Sequence, residues 1–336
     1  MKTNTITLDH GSGGLASYSL VKEILFPFLE NPFLETLDDS AVVPLEGHKV
    51  AFTTDSFVVD PIFFPGGDIG SLSVFGTVND LAMQGASPQY LTLGLIIEEG
   101  FSLEELRQII ASISQAAQRA AVMVVAGDTK VVPKGKADKI FINTSGIGLI
   151  PDTIEVGSHN ASPGDIVLIN GPIGDHGMAI LTQREGLNLS LPLRSDCAPL
   201  NHMVKAVLER YPSIHVLRDP TRGGVATAIG EIARASRVGV VLEEEKIPIG
   251  PSVKWACEIL GLDPLYIANE GKCLVFVPPG LAKGVMELMK QFPEGEETRP
   301  IGYVTEENPG QALLKTAVGG TRILSMLTGE QLPRIC

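Results

Sequence analysis

Residues 49–59 read KVAFTTDSFVV and residues 68–86 read DIGSLSVFGTVNDLAMQGA. The first alternates and is rich in β-branched and aromatic residues, as a strand should be. The second follows the turn FPGG (64–67), has Asp68 where a helix cap belongs and ends near Gly85, which predicts a helix. The same strand and helix also carry acidic residues beside threonine and asparagine, so the segment that fixes the fold is also a candidate for chemistry.

Working outward, YLTLGLII (90–97) reads as a buried strand. SLEELRQIIASISQAAQRAA (102–121) reads as a helix opened by Ser102 and Glu105 in capping-box spacing. VMVVAG (122–127) and KIFINTSGIGLI (139–150) are expected strands. Composition then shifts: PDTIEVGSHNASPGD (151–165) is rich in Pro, Gly, Ser and Asn, and a domain boundary is placed there. Beyond it DIVLING (165–171) is a strand, GGVATAIGEIARASR (223–237) a helix and CLVFVPPG (273–280) a strand with its stop. The alternation predicts an α/β or α+β protein of two domains, residues 1–155 and 156–327, with a mobile tail over 328–336. No fixed repeat period is present, which excludes solenoids and propellers.

Across 336 residues, 39 acidic side chains outnumber 26 basic ones, for a net charge of −13. That balance argues against nucleic acid or an anionic membrane surface as the main partner, while a metal–nucleotide substrate stays compatible because a bound cation reverses the local field. The opening MKTNTITLDH has no apolar core of a leader, and no uninterrupted apolar run approaches the ~18 residues of a membrane span. The protein is expected in the cytoplasm. Cys197, Cys257, Cys273 and Cys336 form no CxxC pair and are too few for a disulfide framework, so the first three are expected reduced and buried. Cys336 closes the sequence in LPRIC (332–336), with chain on one side only, and packing does not account for it. The nine residues of the tail could span at most ~30 Å if extended.

DDSA (38–41), TTDS (53–56), VND (78–80) and GDTKV (127–131) put acidic residues at ends of elements beside Gly or Thr. Taken singly, each is explained as a turn or cap. Taken together, carboxylates converging from several segments repel one another unless a cation sits among them, which points to a hard divalent metal with Lys130 for phosphate. HGSGG (10–14) could approach phosphate by backbone N–H groups. Walker A and GxGxxG patterns are absent, so a nucleotide would be held by carboxylates and metal. RDPTRGG (218–224) sets Asp219, Thr221 and Arg222 before a helix N-terminus, and NEGK (269–272) offers Glu270 and Lys272; capping and tight turns are the competing explanation for both. The six histidines show no metal-binding spacing.

Assembled, HGSGG, TTDSFVVDPIFFPGGDIG, GTVNDLAMQGA, GDTKVV, RDPTRGG, NEGK and the closing PRIC make the chain resemble the HypE family of hydrogenase maturation proteins from residue 10 to residue 336. The acidic motifs are shared with a wider ATP-using superfamily that includes aminoimidazole ribonucleotide synthetase, selenophosphate synthetase and thiamine-monophosphate kinase; PRIC is what singles out HypE. The resemblance implies an aminoimidazole ribonucleotide synthetase-like fold: an N-terminal mixed sheet or barrel half that binds ATP and dimerises, and a C-terminal α/β half.

It also implies the chemistry. A carbamoyltransferase, HypF, loads a carbamoyl group onto the closing cysteine. ATP drives dehydration of the thiocarboxamide to a thiocyanate, and the cyano group passes to iron on a HypC–HypD complex. Matched motif by motif, Cys336, Lys130 and Glu270 are the expected catalytic residues. His10, Gly11, Gly13, Asp55, Asn79, Asp80, Asp128, Thr129, Lys130, Thr221 and Arg222 are expected to hold ATP. Asp38, Asp39, Asp55, Asp80, Asp128 and Asp219 are the candidate Mg²⁺ ligands, and Arg334 is expected to offset charge or anchor the tail. Two other readings stay open: a small-molecule kinase or synthetase of the same superfamily, and a non-catalytic, nucleotide-switched thiol carrier.

Overall fold

The computed structural model describes residues 6–11, 14–29, 31, 33, 35, 38–186, 193–327, 332 and 334–336. Short helices α1 (Leu15–Ser19) and α2 (Phe26–Leu29) precede the first sheet. Its strands are β1 (Ala41–Leu45) and β2 (His48–Phe57), then, beyond the small pair β3 (Phe63–Phe64) and β4 (Gly67–Asp68), β5 (Ser87–Glu98), β6 (Met123–Val132) and β7 (Ile140–Ile150). The order is β1-β2-β7-β5-β6, with β5 and β6 parallel and the other neighbours antiparallel, so the sheet is open within one chain.

The helix expected at 68–86 is α3 (Ile69–Met83). Asp68 Oδ1 accepts from Gly70 N at 2.7 Å and Ser71 N at 2.9 Å, and Ser71 Oγ accepts from Asp68 N at 3.0 Å. This reciprocal cap satisfies amides that a helix start would otherwise leave unpaired. α3 is apolar nearly all round because it is covered nearly all round, by the sheet, by α4 (Leu103–Arg119) and by a helix of the second half. Ile69, Leu72 and Leu81 are wholly buried, each worth about 1.5–3 kcal/mol of burial. α4 shows only one apolar face, Ile109, Ile113, Ala116 and Ala117, and Ser102 caps it by accepting from Glu104 N and Glu105 N.

One face of this sheet is covered and the other is open. For that reason β5 alternates instead of being buried throughout: Leu91, Leu95 and Ile97 point into the core while Tyr90 and Ile96 are exposed. VMVVAG and GDTKV likewise belong to one strand, β6, which is exposed from Met123 to Val131 along the sheet edge.

The second sheet comprises β8 (Ile166–Ile169), β9 (Val216–Arg218), β10 (Gly239–Glu243), β11 (Leu274–Val277), β12 (Arg299–Thr305), β13 (Ala312–Lys315) and β14 (Thr321–Leu324). They run in the order β14-β13-β10-β12-β8-β11-β9. Helices α5 (Asp175–Arg184), α6 (Asn201–Arg210), α7 (Gly224–Ser236), α8 (Pro251–Leu260) and α9 (Pro279–Met289) join them. α7 packs on one face, while α6 and α9 pack on the other together with the end of α3 at Leu81, Ala82 and Met83. With both faces covered, β11 is buried at all four positions. Cys197, Cys257 and Cys273 are free and buried.

The sequence offers nothing to shelter the last residues, yet the structure does. Ile335 is 4% exposed and joins the core of Phe57 and Val59, with Leu332 and Cys336 packed against it. Val58 N donates to Cys336 O at 3.0 Å and Asp60 N to Arg334 O at 3.2 Å, so the tail runs alongside the segment leaving β2. Of the tail expected to be mobile, residues 328–331 and 333 lie outside the described residues.

Candidate active site

β2, α3 and the RDPTRGG turn converge between the two halves. Asp39 precedes β1, Asp80 lies in the last turn of α3, and Asp219 follows β9. One carboxylate oxygen from each falls within 4.8 Å of the others. Thr53 Oγ donates to Asp80 Oδ2 at 3.1 Å and to Asp39 O at 3.1 Å. Thr77 Oγ donates to Asp55 Oδ2 at 2.8 Å, and the Asp55 charge acts on the Asp80 carboxyl. Burial raises the pKa of Asp39, Asp55, Asp80 and Asp219, the last to about 6, and neighbouring carboxylates add to the effect on Asp39, Asp80 and Asp219.

Asp39 Oδ1 accepts from Arg218 Nε at 2.9 Å, whereas its buried Oδ2 has no hydrogen-bond partner. An orphaned carboxylate oxygen beside two other carboxylates fits a hard divalent cation, with Asp39, Asp80 and Asp219 as the residues to hold it. Asp38 stands apart from this trio: its Oδ1 accepts from Ser158 N at 3.2 Å.

Across the cleft, NEGK lies against the loop before α6. Glu270 N donates to Asp196 Oδ1 at 3.1 Å and Lys272 Nζ is 3.3 Å from Asp196 Oδ2. A Cβ on Gly271 would sit 1.9 Å from Asp196 O, so only glycine allows this approach. Glu270 is 4% exposed, and burial, followed by the charges of Asp219 and Asp196, pushes its pKa well above the ordinary range. Asn269 ties the motif to its neighbour by donating to Pro220 O at 2.9 Å. The Arg222 pKa is raised above its ordinary value, first by Cys336 in its ionised form and then, against burial, by Glu270, Asp55 and Asp80. Burial pushes the Cys336 thiol up to about 12, against the pull of Arg222. The charges of Arg222, Glu270 and Asp55 thus act on the closing cysteine, and Asp80 of the trio acts in turn on Arg222.

Residues 37–150 match the family described as AIR synthase related protein, N-terminal domain, and residues 162–315 its C-terminal domain. The carbamoyl dehydratase HypE of Cupriavidus necator is 46% identical over 100% of this chain and 96% of its own length. The chain belongs to the HypE family of carbamoyl dehydratases. Among solved structures, a HypE–HypF complex matches with TM-score 0.88 at 47% identity, covering 92% of this chain and 100% of that one. A HypE in complex with ATP matches with TM-score 0.84 at 48% identity, covering 99% and 100%.

Within this chain the other expected site residues are placed as follows. Thr221 O accepts from Gly224 N at 2.9 Å, closing the turn into α7. Asn79 is engaged by backbone of the second half: its Nδ2 donates to Ala198 O at 3.0 Å and Glu270 O at 3.3 Å, and its Oδ1 accepts from Leu200 N at 2.8 Å. Asp128, Thr129 and Lys130 lie on the exposed edge strand β6, where Lys130 Nζ meets Asp128 Oδ2 at 2.7 Å. Asp55 pairs across to Thr144, Thr144 to Leu93 and Leu93 to Gly127, so Asp128 is three strands, roughly 14 Å, from Asp55 in the same chain. Within one chain, therefore, Asp128 and Lys130 do not join the aspartate trio.

His10 accepts from Thr7 N through Nδ1 at 3.1 Å in the turn that ends at Gly11, and Gly13 lies outside the described residues. Sequence reasoning passed over Arg218, Thr53 and Thr77 as separate participants, although all three sit inside the motifs that drew attention. An arginine directly before Asp219 in RDPTRGG was the available signal for Arg218.

Proposed function

We propose that this chain converts a carbamoyl group carried on the sulfur of Cys336 into a thiocyanate at the expense of ATP. The observation that carries the reading is the seat of Cys336, packed against the core of Phe57 and Val59 with its carbonyl held by Val58 N, where the charges of Arg222, Glu270 and Asp55 act on its thiol and Asp80 of the trio acts on Arg222. The carbonyl oxygen of S–C(=O)–NH₂ is a poor leaving group. Its attack on the γ-phosphorus of ATP forms an O–P bond and releases ADP, and the oxygen then leaves as phosphate while the nitrogen loses two protons and the C≡N bond forms. The balance is R–S–C(=O)NH₂ + ATP → R–S–C≡N + ADP + phosphate.

Phosphoryl transfer of this type depends on alignment and charge neutralisation. Asp39, Asp80 and Asp219 would hold Mg²⁺, which neutralises triphosphate charge when bound. Arg222 faces the charge that grows on the transferring group. Glu270, whose pKa burial raises, is the group placed to take a proton from nitrogen. A cavity of about 400 Å³ bordered by Ser17, Lys22, Arg218 and Arg234 adjoins the trio through the Arg218–Asp39 pair and offers room for the rest of the nucleotide.

A thiol kept protonated by burial is a weak nucleophile, so loading by the carbamoyltransferase HypF suits a tail that has left the cleft. The HypE–HypF complex of a close relative supports that partner, and the ATP complex of another supports the nucleotide. Delivery of the cyano group to a HypC–HypD complex, in the cytoplasm, completes the reading. The open sheet face and the apolar β6 edge suit pairing with a second copy, which would bring Asp128 and Lys130 of one chain towards the site of its partner.

The test is intact mass of the protein incubated with HypF, a carbamoyl donor and ATP. Cys336 should gain a carbamoyl group and then lose one water only when ATP is present. Cys336→Ala should abolish the ATP turnover that carbamoyl donor stimulates; undiminished stimulation in that variant would falsify the reading.

A further inference from the structure

Inside α5, His176 is wholly buried and lies edge-on to Phe64, with ring centres 5.6 Å apart. Each ring nitrogen has one polar neighbour: Nδ1 is 2.8 Å from Ser195 Oγ, and Nε2 is 2.8 Å from the carbonyl oxygen of Ile335. A carbonyl can only accept, so the proton is assigned to Nε2, and Nδ1 is left to accept from the Ser195 hydroxyl. Ser195 is itself fixed. Its N donates to Pro65 O at 2.7 Å, and its Oγ accepts from Cys197 N at 3.0 Å. Every donor along this line meets an acceptor with the imidazole neutral, and burial lowers the pKa of His176, which keeps it so.

The carbonyl that His176 holds belongs to the residue directly before Cys336, in a tail otherwise held by the first half and by Arg184. Val58 N donates to Cys336 O, Arg334 Nε to Val58 O at 2.8 Å, and Arg184 Nη2 to Arg334 O at 2.8 Å. We propose that His176 is a positioning residue: from inside the second half it grips the Ile335 carbonyl through Nε2–H and thereby registers the carbamoyl-bearing sulfur of Cys336 against Glu270 and Arg222. This rests on Cys336 being the substrate carrier. A grip of this kind affects the two half-reactions differently. It favours dehydration, which needs the sulfur inside, and does nothing for loading, which needs it outside.

The test uses the full-length protein. His176→Phe keeps the ring and its contact with Phe64 but removes both nitrogens; His176→Gln can return an amide N–H near the place of Nε2–H; Arg184→Met loosens the same tail from nearer the surface, should the buried variant fold poorly. The first readout is the rate at which iodoacetamide alkylates Cys336, followed on the C-terminal peptide by mass and needing neither ATP nor partner. Loss of one buried hydrogen bond corresponds to about tenfold or more, so alkylation should accelerate by that factor in His176→Phe and Arg184→Met and return to within about threefold of the parent in His176→Gln.

The second readout follows carbamoyl loading by HypF and the ATP-dependent loss of water as separate rates. In His176→Phe the loss of water should slow by about tenfold, with loading as fast as in the parent or faster. Alkylation rates equal to the parent in both His176→Phe and Arg184→Met overturn the proposal, as does equal slowing of loading and dehydration. If the parent never loses water from its carbamoylated cysteine, the dehydratase reading alone fails, and the alkylation rates still decide whether His176 holds the tail.

Discussion

Glu270 is an acid enclosed by other acids, and its usefulness depends on that enclosure. Replacing it with glutamine keeps shape and hydrogen bonds while removing the proton acceptor, so Glu270→Gln should slow dehydration about 100-fold or more and leave the carbamoylated form of Cys336 to accumulate, visible as a mass that fails to drop by one water. The aspartate trio carries a pH signature as well. Folded-state values above the 3.8 of a free aspartate mean that the neutral forms are favoured on folding; their contribution to stability is complete below that value and disappears as pH rises past the folded value, about 6 for Asp219. Without divalent cation the melting temperature should therefore fall between about pH 5 and about pH 7.5. Mg²⁺ should restore it more at the higher pH, and calorimetry at both values checks this. A Mg²⁺ shift of equal size at both would argue against these carboxylates as the ligands.

Much of this was legible residue by residue. Asp39 stands before Ser40 and Asp219 before Pro220, Asp80 follows Asn79 near a helix end, and Glu270 sits in a glycine turn before a strand. The tail was not. The shelter of Cys336 comes from residues 57–60, Arg222 and Glu270, which are distant in sequence, and no local pattern announces such an arrangement. The rise in its thiol pKa is caused first by burial, which no local sequence pattern shows.

At the scale of elements, α3 is the part that joins fold to chemistry. Its start is fixed by Asp68, its middle supplies Thr77, and its end supplies Asn79 and Asp80. Asp68→Ala should cost about 1 kcal/mol through the lost cap, a drop of roughly 2–4 °C in melting temperature, with a parallel weakening of nucleotide binding because Asp80 sits on the same rod. Gly271→Ala is a harsher change: a Cβ at 1.9 Å from Asp196 O must push the Asp196 loop and Glu270 apart, so activity should fall by more than stability does. Melting temperature and single-turnover dehydration, measured on the same samples, separate the two. Capping made α3 and α4 readable from sequence. The character of β5 and β6 was not, because whether an apolar strand is buried on two faces, one or none depends on what the rest of the fold stacks against it.

For the whole molecule, β6 poses the outstanding question. An apolar edge strand with Met123 and Val125 each 58% exposed and Val131 67% exposed is a surface that isolated proteins normally blunt with charge. Val125→Glu, on this edge, should shift the protein towards monomer by light scattering and reduce ATP turnover together with it, if Lys130 serves the neighbouring copy. A variant that stays fully associated and active would remove β6 from the interface.

The tail also acts as a stitch. Its hydrogen bonds to Val58 and Asp60 belong to one half and those to His176 and Arg184 to the other, so the same three residues, Arg334, Ile335 and Cys336, sew the seam between them. When the sulfur is carried off for loading, the seam opens, and amide hydrogens around residues 58–60 and the start of α5 should exchange with solvent in step. Each turnover would thus begin and end with the two halves briefly less tightly joined, a mechanical cycle written into the last few residues.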